Sequence, residues 1–122
     1  MGLDMYLIHG TWEDDGEEVG YWRKANQIHK WFVDNVQDGV DDCGDYKVTK
    51  EQLIELYNRC NEVLNNHDLA ESLLPTQSGF FFGMTEYNEW YFQDLENTKQ
   101  IIDDILEYKS YCLDNLYYSS SW

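Results

Sequence analysis

The first periodic segment runs over residues 3–9, where apolar residues fall at Leu3, Met5 and Leu7 while Tyr6 and Ile8 make the second face apolar too. That pattern predicts a strand covered on both sides or placed centrally in a small sheet. Val19-Gly20-Tyr21 reads as a short extended piece leading into a helix over 22–36. There Ala25, Ile28, Phe32 and Val36 form one stripe, and Trp22, Asn26, His29 and Val33 the adjacent one. Tyr46-Lys47-Val48 predicts a short strand, after which Thr49 opens a second helix. Thr49-Lys50-Glu51-Gln52 matches the capping box, in which the threonine oxygen and the glutamine side chain satisfy two free amides. Leu53, Leu56, Tyr57, Cys60, Val63 and Leu64 continue that helix as an apolar stripe, and Asn65-Asn66-His67 ends it.

Residues 69–74 add a short helical turn before Pro75, and Gln77 to Met84 reads as a strand flanked by glycines. From Thr85 or Glu86 to about Leu116, apolar residues recur at helical spacing without a proline. Some thirty residues at about 1.5 Å each would reach roughly 45 Å, too long for so small a domain. A kink, a break near Lys109-Ser110 or a projecting end is therefore expected. The sum is a single α+β domain over 1–118, with about three main helices packed on a small β-sheet, a long C-terminal helix, and a tail at 119–122.

With 122 residues, the chain can bury a core without metal or disulfide staples. Its three cysteines, Cys43, Cys60 and Cys112, form no CxxC pair, so neither a zinc knuckle nor a disulfide framework is expected. The start lacks a signal-peptide pattern, and no apolar run approaches the roughly 20 residues of a membrane span. A cytoplasmic protein fits these features. Charge changes the picture more: 24 acidic against 8 basic residues give −16. A field of that size repels nucleic acid and anionic membrane and favours basic partners. The carboxylates cluster in two loops, one holding Glu13, Asp14, Asp15, Glu17 and Glu18, the other Asp38, Asp41, Asp42 and Asp45.

Two blocks poor in acids hold the candidate pocket chemistry. On the first helix Trp22, Asn26 and His29 share a face and Arg23 reaches its edge. Together they offer a stacking plane, a two-way hydrogen bonder, a titratable nitrogen and an anion fork. In the second block Gln77 and Ser78 precede three phenylalanines, and Thr85 is read as the cap of the last helix. The glycines there form no phosphate-binding loop, because no Gly-Lys-Ser/Thr follows. His29 with Asp41, Asp42 and Cys43 is the one mixed cluster, and its spacing matches no metal-ligand pattern, so no metal and no cofactor are expected. Paired with His29 as a nucleophile, Cys43 would sit among carboxylates, which work against a thiolate. Catalysis is unsupported.

Met1-Gly2-Leu3-Asp4-Met5-Tyr6-Leu7, Gly20-Tyr21-Trp22-Arg23-Lys24-Ala25-Asn26 with Ile28-His29 and Trp31-Phe32-Val33, Asp41-Asp42-Cys43, and Leu73-Leu74-Pro75-Thr76-Gln77-Ser78-Gly79-Phe80-Phe81-Phe82-Gly83 with Thr85-Glu86-Tyr87 resemble a family of small phage and prophage proteins. The family has no established biochemical activity. Its members carry a longer insertion after the first strand, from which the short acidic loop at 13–18 departs. The resemblance implies a bacterial host and, by analogy of class, action against host defences. Three readings follow. The preferred one is a non-enzymatic acidic inhibitor that mimics nucleic acid and engages a basic host protein, such as a defence nuclease, without touching nucleic acid or membrane. The second is a nucleotide sponge or enzyme with its pocket at Trp22, Asn26 and His29, and the third a structural phage protein.

Overall fold

A computed structural model describes residues 2–79 and 83–122, and the fold it shows is α+β. Its four strands are β1 (Asp4–His9), β2 (Glu17–Arg23), β3 (Asp45–Lys47) and β4 (Leu116–Ser121). They form one antiparallel sheet in the order β2-β1-β4-β3. The helices are α1 (Asn26–Asn35), α2 (Lys50–Asn65), the single turn α3 (Ala70–Leu73) and the long α4 (Glu89–Tyr108). Short 3₁₀ turns lie at Trp12–Asp14, His67–Leu69 and Ser110–Asn115.

Alternation along the strands separates two faces. Cross-strand partners share a face, so Met5 lies with Trp22 and Ser120, and Leu7 with Gly20 and Tyr118. On this side sit the helices. Phe32 of α1 stacks on Tyr118 with ring centroids 3.9 Å apart, and Trp22 Nε1 donates to Thr98 Oγ1 of α4 at 2.8 Å. Gly20 is required here, since a Cβ would come within 2.8 Å of the Ile101 side chain. Leu53, Leu56, Cys60 and Val63 of α2 and Leu95, Ile102 and Ile105 of α4 complete the core, all fully buried. The Thr49–Gln52 capping box forms as the sequence predicts, with reciprocal bonds of 2.9 and 3.1 Å. The opposite face carries Asp4, Tyr6, Tyr21 and Ser119.

Five expectations are corrected. Trp22 and Arg23 belong to β2, not to a helix starting at 22; strand alternation buries Trp22 between exposed Tyr21 and Arg23. Lys24, at φ +56°, turns the chain into α1. Thr85 is not a cap: α4 begins at Glu89, and Asn88 Oδ1 accepts from the amides of Trp90 and Tyr91. The helix ends at Tyr108, at the expected break, and so does not reach Leu116. Residues 119–122 are not a tail, because β4 runs to Ser121 between β1 and β3 and buries Tyr118, Ser119 and Ser120. Of the strand expected over 77–84, residues 77–79 and 83–84 are irregular. Phe80, Phe81 and Phe82 lie outside the described residues.

Candidate functional site

The candidate pocket residues are brought close, but mostly as structural braces. Asn26, 1% exposed, donates from Nδ2 to Met84 O at 2.8 Å and accepts from Gln77 N at 2.9 Å, so it pins both ends of the 77–84 segment to α1. His29 is fully buried in a chain of polar contacts. Its Nδ1 lies 2.6 Å from the Tyr118 hydroxyl, and its Nε2 lies 3.0 Å from both Asp41 oxygens. Burial lowers the His29 pKa and Asp41 pulls it back up. The neutral ring is thereby favoured, with the Asp41–His29–Tyr118 chain anchoring the second acidic loop to the core. Trp122 adds a bond from Nε1 to the same carboxylate at 3.1 Å. Ser78 and Thr85 are exposed, and the Thr85 carbonyl accepts from Thr76 Oγ1 at 2.9 Å.

Arg23 is different. It reaches Asp4 Oδ1 at 3.1 Å on its outer side and also lines a cavity of about 490 Å³. The cavity opens between the β2–α1 turn and the first half of α4. Sequence reasoning placed Arg23 at a cleft edge but missed the partner wall: Trp90, Gln93, Asp94 and Asn97 of α4. Their three- and four-residue spacing puts them on neighbouring helical positions, a signal present in the sequence without any hint of what it faces. Lys24 and Gln27 line the other side. Burial pushes the Asp94 carboxyl up to about 6, against the pull of a hydrogen bond from Gln27.

The acidic residues divide into free and engaged groups. Glu13, Asp14 and Asp15 are exposed around the Trp12–Asp14 turn, and Glu17 and Glu18 open β2. Glu17 accepts from the Tyr111 hydroxyl at 2.8 Å. Asp42 is a local staple: hydrogen bonds from the Tyr46 hydroxyl at 2.7 Å and the Gly44 amide at 3.0 Å hold its pKa below the usual range. Asp38 and Asp45 are exposed. The Trp12–Asp14 turn folds back over the outer sheet face, where Trp12 meets Tyr6 edge-on at 5.5 Å. Trp12, Tyr6, Cys43, Asp45 and Ser119 surround a second cavity of about 480 Å³. Both acidic segments therefore border one surface.

No group of His, Cys, Asp and Glu among the described residues is arranged to hold a metal ion. No helix among them is long and apolar enough to cross a membrane. Compared with known protein families, curated proteins and solved structures, the chain matches none.

Proposed function

We propose that this chain is a non-enzymatic acidic binding protein of phage type that inhibits a host defence system by covering a basic, nucleic-acid-binding surface. The observation that carries this reading is the outer face of the sheet. Tyr6, Tyr21 and Trp12 present rings there, with Asp4, Glu18 and Asp45 on the same surface and the two acidic segments at its borders. The guanidinium on that side, Arg23, is paired with Asp4. Exposed rings next to carboxylates suit arginine and lysine side chains, which gain from both cation–π contact and charge. A net charge of −16 adds long-range steering toward such a partner.

The engaged carboxylates, Asp41 and Asp42, are fold elements in this reading, and the contact falls to Glu13, Asp14, Asp15, Glu18 and Asp45. The test is capture of nucleic-acid-binding proteins from a bacterial host at low and high salt, followed by competition with nucleic acid on the captured protein. Binding that collapses with salt, is displaced by nucleic acid and weakens in the variant with Glu13→Gln, Asp14→Asn, Asp15→Asn and Asp45→Asn supports it. A bound protein insensitive to both salt and these substitutions overturns it.

A further inference from the structure

The cavity beside α4 brings cations together with acids: Arg23, Lys24, Glu86 and Asp94 all line it. Two of the chain's eight cations, Arg23 and Lys24, stand side by side on its rim. Lys24 is exposed and makes no ion pair among the described residues, although 24 carboxylates are available. Its position is built into the backbone. The left-handed turn at Lys24 lies against Gly83, where a Cβ would come within 3.0 Å of the Lys24 Cβ and where φ is +90°. Asn26, two residues further, clamps the neighbouring Met84 carbonyl.

Across the opening, Trp90 leaves 62% of its surface exposed. A tryptophan so placed beside a cavity offers a flat apolar plane to a ring. The floor is polar and ordered. Gln27, 2% exposed, donates to the Tyr91 carbonyl at 3.2 Å and to Asp94 Oδ2 at 3.3 Å. Gln93 and Asn97 add amide groups that can both donate and accept. A volume of about 490 Å³ lies within the range of small-molecule sites.

We infer that this cavity binds a nucleoside phosphate, with the phosphate held by Lys24 and Arg23, the base stacked on Trp90, and the base edge read by Asp94, Gln93 and Asn97. Each element of the ligand answers one wall. Lys24 needs an anion that no ion pair among the described residues supplies, and Arg23, held by Asp4, stands beside it. The indole needs a ring, and the half-buried carboxyl with its amides needs adjacent N–H and acceptor groups of the kind a base edge presents. Apart from Arg23, which pairs with Asp4, the site lies off the outer sheet face, and the inhibitor reading needs no ligand there, so the two are tested independently.

The experiment is titration calorimetry of the purified chain with guanosine 5′-monophosphate, adenosine 5′-monophosphate, guanosine and inorganic phosphate, with tryptophan fluorescence followed in parallel. At least one mononucleotide should bind about tenfold or more tighter than phosphate alone, since stacking of one base is worth that much, and tighter than guanosine, which lacks the phosphate that Lys24 and Arg23 hold. Trp90→Ala should remove the fluorescence change and weaken binding by about tenfold. Lys24→Gln should weaken the mononucleotide while leaving guanosine unaffected. Both side chains are exposed, so thermal melts of the variants should match the parent. Absence of binding by either mononucleotide overturns the inference. So does phosphate binding as tightly as the mononucleotides, or binding that survives both substitutions unchanged.

Discussion

The two sides of this molecule solve opposite problems with the same few residue types. On the outer sheet face, tyrosine and tryptophan rings lie among carboxylates on a shallow surface, with the Trp12–Asp14 turn folded over it. At the cavity beside α4, an indole lies near cations and the carboxyl of Asp94 is withdrawn from water. The first arrangement suits a large basic partner that brings its own shape. The second suits a small anionic ligand that must be enclosed. Net charge describes only the first of them: a chain at −16 still places Arg23 and Lys24 side by side at a cavity that Glu86 and Asp94 also line.

Trp22 is the divider between the two regions, and removing it is the strongest way to break the comparison. Its ring fills the space between β1, Phe32 and α4, and its Nε1 bonds Thr98. Trp22→Ala should cost about 3–5 kcal/mol in chemical denaturation, enough to loosen both sides together. A loss below about 1 kcal/mol would mean that the sheet and α4 do not depend on it. Next in size is Asn26→Ala, which frees the Met84 carbonyl and the Gln77 amide. It should cost about 1–3 kcal/mol and raise amide exchange around residues 76–88 without altering the outer face.

Acid should move the two sides in opposite directions. His29 has a lowered pKa in the fold, so its contribution is full above the unfolded value of about 6.5 and fades as pH falls below it. Asp94, raised to about 6, behaves the other way. Its charged form burdens the fold at neutral pH, and protonation between pH 6 and the unfolded value near 4 relieves that burden. Asp94→Asn should therefore stabilise the protein by about 1–2 kcal/mol at pH 7 and unmask the acid-induced loss from His29 in melts at pH 7 and pH 5. Equal gains at both pH values would contradict this assignment. Smallest of all is the effect of Glu13→Gln with Asp14→Asn and Asp15→Asn, which should leave the melting temperature where it is while reducing salt-sensitive binding. A large fall in melting temperature would make that turn part of the fold.

Local chemistry was legible in the sequence wherever a pattern had one solution. The capping box at Thr49 and the stripe from Leu53 to Val63 specify α2 without help from the rest of the chain. The length of the last periodic stretch called for a kink, a break near Lys109-Ser110 or a projecting end, and the fold takes the break. Trp22 was ambiguous because positions 22, 26 and 29 fit a helix while 20 and 22 also suit one face of a strand, where they meet Leu7 and Met5. Ser119, Ser120 and Ser121 carry no apolar signal at all. The burial of Ser119 and Ser120 comes from backbone pairing with β1 and, at Ser119, with β3, contacts that no local window contains. The cavity was hidden for the same reason: Arg23 was visible, but Trp90 and Asp94 meet it only through the fold.

The pairing of Asp4 with Ser121 sets a timetable for biogenesis. During synthesis β2 follows β1 closely and can pair with it at once, yet the other edge of β1 has no partner until β4 has left the ribosome. Until then the sheet lacks an inner strand and α4 has only part of its floor. Folding to completion consequently waits for the most distant contact in the sheet, the kind that closes slowly. A nascent chain stalled short of Leu116 would hold an open, aromatic-rich sheet edge, which makes it a natural client for chaperones.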